Sequence, residues 1–110
     1  MAVRIIRLAD IDSADYISPY VLEQVANQTY NPEEISPDDV QRAKEAGVFI
    51  SIVDNGFIRV PTVFKHKGGY RILDGEDIVA ACVYKGKEKM PAEVLPSDHP
   101  DIPTLIRKSH

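Results

Sequence analysis

The sequence has a single cysteine, Cys82, and no tryptophan. One cysteine rules out an internal disulfide and makes a reducing, cytoplasmic setting the expectation. No apolar run approaches the roughly 18 residues that a membrane-spanning helix needs. The opening stretch, Met1-Ala2-Val3-Arg4-Ile5-Ile6-Arg7, lacks the long apolar centre and small-residue cleavage site of a secretory signal. Positive charge is short as well: 13 Lys+Arg stand against 17 Asp+Glu, a net of -4. A chain that lives by gripping phosphates is usually basic, so the total argues against a dedicated nucleic-acid binder. Zinc-ligand spacing, a Walker loop and a nucleophile elbow are all missing.

What is present is the composition of one globular domain. The chain has 110 residues, of which 44% are hydrophobic and 27% charged. Its charge is uneven along the chain. Residues 1–55 carry Arg4, Arg7, Arg42 and Lys44 against ten acids, a net of -6. Residues 56–89 carry Arg59, Lys65, Lys67, Arg71, Lys85, Lys87 and Lys89 against four acids, a net of +3. Any anion-facing surface, or weak nucleic-acid binding, is therefore expected on the 56–89 stretch.

Local signals predict an order of elements. Val3 to Leu8 is β-branched and reads as a first strand. Ser18-Pro19 and Ser36-Pro37 are both helix starts, a capping hydroxyl followed by a proline with the right φ. The first predicts a helix over 19–30, closed by Asn31-Pro32. The second opens a helix whose end is ambiguous: it runs on through Ile50 and Val53, or it stops at Gly47 and leaves 48–53 as a strand. Asp54-Asn55-Gly56 is a turn, and Phe57–Lys65 a strand in which Pro61 implies an edge or a break. Lys67-Gly68-Gly69 makes a hairpin to Tyr70–Leu73. Asp74 then caps a helix over 75–85 with Ile78, Ala81 and Cys82 turned inward, ended by Gly86. Pro91–Leu95 is a last strand, and 96–110 a proline-rich tail with a short ordered piece at Ile102–Ile106.

The stretch from 49 to 95 carries a resemblance. Ser51-Ile52-Val53-Asp54-Asn55-Gly56-Phe57-Ile58, Pro61-Thr62-Val63, Gly69-Tyr70-Arg71-Ile72-Leu73-Asp74-Gly75-Glu76, Ala80-Ala81 and Met90-Pro91-Ala92-Glu93-Val94 follow one another in a familiar order. They resemble the ParB N-terminal domain of the ParB/sulfiredoxin-like superfamily over about 47 of the 110 residues, with one extra residue before Pro61. The resemblance implies an α/β (α+β) domain over 1–95, a small mixed sheet with about three flanking helices, and favours helix over strand at 48–53.

It also implies phosphate chemistry. Members of the superfamily include partition proteins that bind CTP and DNA, nucleases, sulfiredoxin with ATP, and a serine kinase. Their shared device is a helix N-terminus after a small-residue turn, where free N–H groups and a following arginine hold a phosphate. Gly75 and Glu76 match the Gly-Glu of that motif, but the next two arginines are here Asp77 and Ile78, and a later one is Ala80. The sulfiredoxin version would have cysteine at Glu76 and arginine at Ile78.

Two functions follow from different classes. In the first, the domain is a non-catalytic module that has lost the arginine clamp and binds a protein, or nucleic acid weakly, with Lys65, Arg71, Gly75 and Glu76 as the phosphate-side candidates. In the second, it is a nuclease, nucleotide hydrolase or kinase in which Asp74, Glu76 and Asp77 hold Mg²⁺ and Arg71 or Lys65 neutralises phosphate. Glu76 and Asp77 are then also the catalytic candidates. A purely structural account of these acids is that they cap the helix and complement its dipole. Cys82 reads as a buried small hydrophobe and His66 as an exposed tip residue. Asp98-His99-Pro100-Asp101 makes a poor metal cage on its own.

Overall fold

The computed structural model describes residues 3–53 and 59–96. Strand β1 (Val3–Arg7) is followed by two 3₁₀ turns, helix α1 (Pro19–Ala26), helix α2 (Pro37–Gly47), strands β2 (Thr62–His66) and β3 (Gly69–Asp74), helix α3 (Glu76–Tyr84) and strand β4 (Lys89–Leu95). The fold is α+β: one mixed four-stranded sheet in the order β1-β4-β2-β3, with three helices. β4 lies antiparallel to β1 and parallel to β2, and β2 and β3 form the expected antiparallel hairpin.

The helix starts form as their residues dictate. Ser18 Oγ accepts the Val21 N–H and Ser36 Oγ accepts the Asp39 N–H, with Pro19 and Pro37 in the first turn. The hairpin turns at Lys67 and Gly68, whose φ values of 49° and 81° are those of a tight two-residue loop.

Several boundaries differ from the sequence reading. α1 ends at Ala26, not at 30, because Gln28 turns to φ 57° and the Thr29 N–H and hydroxyl bond back to the Gln24 carbonyl. α2 stops at Gly47. Beyond it, 48–53 forms neither helix nor strand but successive turns, closed by bonds such as Val53 N–H to Phe49 O. β2 begins after Pro61, and β4 begins at Lys89, two residues earlier than expected. Residue 75, not 74, caps α3: Asp74 is the last residue of β3, and Gly75 at the cap makes no side-chain hydrogen bond. The expected turn at 54–56, the start of the 57–65 strand and the Ile102–Ile106 piece lie outside the described residues.

α3 is the centre of the molecule. Ile78, Val79, Ala80, Ala81 and Cys82 are buried in succession, which requires packing on both sides of the helix. One side meets the sheet through Ile6, Val63, Met90 and Ala92. The other meets Leu22, Val25, Ala43 and Ala46 of α1 and α2 through Ala80. Among the described residues, the opposite face of the sheet holds a small cluster of Phe64 and Leu95 with Leu73 beside it.

The sheet is strongly curled. β1 and β3 are its two outer strands, yet Ile11 bridges in parallel to Tyr70 of β3 only four residues after β1 ends. Four residues reach about 14 Å at most, whereas that position lies about 19 Å from β1 in a flat sheet. The chain leaving one edge thus closes over the other.

Candidate functional site

The site begins at the end of β3. Gly75 stands at φ 90°, and a Cβ there would come within 2.9 Å of both Cα and Cβ of Pro61. Only glycine meets both conditions, so the turn that aims α3 is fixed by packing as well as by backbone angle. The helix it starts carries Glu76 and Asp77 in its first turn, where acids complement the positive end of the helix.

Each acid has its own arginine. Arg42, from α2, grips Glu76 through Nε to Oε1 at 2.7 Å and Nη2 to Oε2 at 3.2 Å, and its Nη1 reaches Asp39 Oδ1 at 3.2 Å. The hydrogen bond to Glu76 is the main cause that raises the Arg42 pKa above its ordinary value. Arg59 donates to Asp77 Oδ1 at 2.6 Å, and its guanidinium lies 5.4 Å from the centre of the Phe49 ring. Asp77 Oδ1 also accepts the Ile78 N–H at 2.9 Å, which satisfies one of the open donors of the first turn.

A cleft of about 550 Å³ opens at this helix mouth, lined by Ala14, Asp15, Arg42, Ile72 and the run Leu73 to Glu76. Asp15 lines it with a side chain only 7% exposed. Asp15 accepts Nη2 of Arg71 at 2.8 Å, Nε of Arg71 at 3.2 Å and the Ile72 N–H at 2.9 Å. That last bond covers the outer edge of β3, together with Asp12 N–H to Tyr70 O. The hydrogen bond to Asp15 is the largest cause that raises the Arg71 pKa.

The structure therefore brings Asp74, Gly75 and Glu76 to one cleft and places the other candidates elsewhere. Asp77 turns to Arg59, and Arg71 is bound to Asp15. Asp74, Glu76 and Asp77 do not converge: among the described residues no three Asp, Glu, His or Cys side chains are grouped to hold a metal ion. Lys65 lies near the hairpin tip. The basic residues of 56–89 are not one patch either. Thr62 is level with Glu93, so Lys65 sits three positions above that level and Lys89 four below it, roughly 23 Å apart along the strand direction.

Two features lay beyond the sequence reading. Arg42 and Asp15 were not site candidates, because their partners stand 34 and 56 residues away along the chain. Ile78 and Ala80, at two of the positions where the resemblance led one to look for arginine, are 0% and 1% exposed, inside the core. No protein family matches this chain, and no curated protein matches it either. Among the described residues, no helix is long and apolar enough to cross a membrane.

Proposed function

We propose that the chain is a non-catalytic binding module of ParB/sulfiredoxin type, in which the phosphate-binding helix mouth has become a self-neutralised polar cleft that takes a protein partner. One observation supports this reading. The two acids of the α3 first turn each hold an arginine, Arg42 on Glu76 in the cleft lining and Arg59 on Asp77 outside it. A phosphate arriving there meets guanidinium groups already engaged and two carboxylates beside them. Each close exposed like-charge pair costs about 1 kcal/mol, and more where water is excluded. A bidentate guanidinium contact contributes about 1.5–3 kcal/mol only if the arginine is available.

A protein partner suits the cleft better than a nucleic acid. Its charged lining is Arg42 with Asp15, Asp74 and Glu76, a mixture that favours polar side chains and peptide groups over a polyanion. The lysines that could attract a phosphate backbone are split between the hairpin tip and the start of β4, so nucleic acid would be held weakly and in a salt-sensitive way. The buried, lone Cys82 is in keeping with a reducing, cytoplasmic setting.

Calorimetric titration with CTP and ATP, each with and without Mg²⁺, tests the reading. It predicts no saturable heat in any of the four. Micromolar binding that requires Mg²⁺ would favour the enzyme reading, with the first-turn acids as metal ligands.

A further inference from the structure

The two outer strands of the sheet are treated differently. The β3 edge is covered by the chain's own residues Ile11, Asp12 and Asp15. The β1 edge is not: among the described residues, β1 pairs only with β4. It is also apolar where edges are usually guarded, since Val3 and Ile5 are 60% and 66% exposed.

The direction of the β1 backbone follows from its partner. Ile5 is level with Pro91, which has no N–H to give, and the neighbouring Glu93 N–H is donated to Pro61 on the β2 side. The bonds between β1 and β4 therefore belong to Arg4 with Ala92 and Ile6 with Met90. Val3, Ile5 and Arg7 turn their backbone groups outward, the Arg7 carbonyl there also serving the first bond of the 3₁₀ turn at Leu8–Asp10. Their side chains share the sheet face opposite α3, because Ile6, Met90 and Ala92 occupy the α3 face.

We propose that β1 is an interface for a second copy of this chain, paired antiparallel about a two-fold axis at Ile5. This register sets Ile5 against Ile5 and Val3 against Arg7, and so engages all the outward residues of both strands. Arg4 faces Ile6, and no like charges are opposed. Arg7 of one copy, paired within its own chain with Asp10 through bonds of 3.0 and 3.1 Å, lies over Val3 of the other. Val3 is level with Glu93 on the same face, so charge complements across the seam once Arg7 is shared between Asp10 and that glutamate. Centring the pair on Arg4 or Arg7 would instead oppose two arginines. An isologous pair of this kind joins two sheets into one. It is small beside a standard interface, so association is weak and concentration-dependent.

The test is sedimentation of the full chain from about 10 µM to 1 mM, the range in which small interfaces of this kind associate. The mass should rise reversibly from one copy toward two. Ile5→Lys, at an exposed position, should abolish the rise by setting two charges face to face. Ile5→Pro removes only an outward N–H and should do the same. Cysteine variants read the register: under mild oxidation Ile5→Cys should cross-link at least about tenfold faster than Val3→Cys, because only the former brings paired Cα atoms within disulfide reach. Native Cys82 is 0% exposed and does not compete. A chain that stays monomeric to 1 mM overturns the proposal. So does a dimer that persists in both Ile5→Lys and Ile5→Pro, or equal cross-linking at positions 3 and 5.

Discussion

Arg42 and Glu76 are 34 residues apart in sequence and meet through two hydrogen bonds of 2.7 and 3.2 Å at the mouth of α3. Their pairing fixes α2 against the start of α3. It also decides the chemistry of the cleft, because the nearest guanidinium is committed to a carboxylate of the chain itself.

The pair is partly open to water, with side chains 35% and 42% exposed, so its energetic weight is modest. Arg42→Ala should cost about 0.5–1 kcal/mol by urea unfolding, a screened pair rather than a buried one. Loss of several kcal/mol would mean that Arg42 carries packing in addition to charge.

Gly75→Ala should be far more harmful. The substitution puts a Cβ 2.9 Å from two atoms of the buried Pro61 and forces a left-handed residue. Together these should destabilise the domain by about 2–4 kcal/mol. A change below 1 kcal/mol, read by the same unfolding curve, would show that Pro61 yields easily.

Asp15→Ala should cost about 2–3 kcal/mol, since it strands the Ile72 N–H and the Arg71 guanidinium at once. Hydrogen exchange at Ile72 should speed up before that of the α3 core. Unchanged exchange at Ile72 would remove Asp15 from the account of the β3 edge.

How much of this could be seen in the sequence depended on distance along the chain. Ser18-Pro19, Ser36-Pro37 and the Lys67-Gly68 loop work within a few residues, and the elements they begin or join were legible. Gly75 was legible as a turn, but Asp74 as its cap was not, because the cap depends on how β3 delivers the chain. At 48–53 local propensity could not separate helix from strand, and the turns that form there are set by packing: Val53 is 2% exposed in the main core. The site suffered most. Glu76 and Asp77 could be read as phosphate repellents or metal ligands, while the arginines that decide between those roles come from α2 and the segment before β2.

Cys82 gives the fold a pH dependence. Burial pushes its thiol from the ordinary 9.0 up to about 11. The folded state then holds this proton more tightly than the unfolded one, so the stabilisation is complete below pH 9 and is lost between pH 9 and about 11. The loss should be about 2–3 kcal/mol. Thermal unfolding across that range should show a steeper fall for the wild type than for Cys82→Ala, where the contribution is absent. Parallel curves would contradict it.

The central claim is that the acids of the α3 first turn hold the arginines that a phosphate would need. The most direct measurement compares ATP binding in Mg²⁺ by the wild type and by Glu76→Ala/Asp77→Ala, using calorimetry on folded samples. Releasing Arg42 from Glu76, though not from Asp39, and Arg59 from Asp77 while removing two negative charges should raise affinity at least about tenfold, from undetectable in the wild type to measurable in the variant. The opposite pattern, micromolar binding by the wild type that disappears in the variant, would show the acids to be metal ligands and would contradict the account.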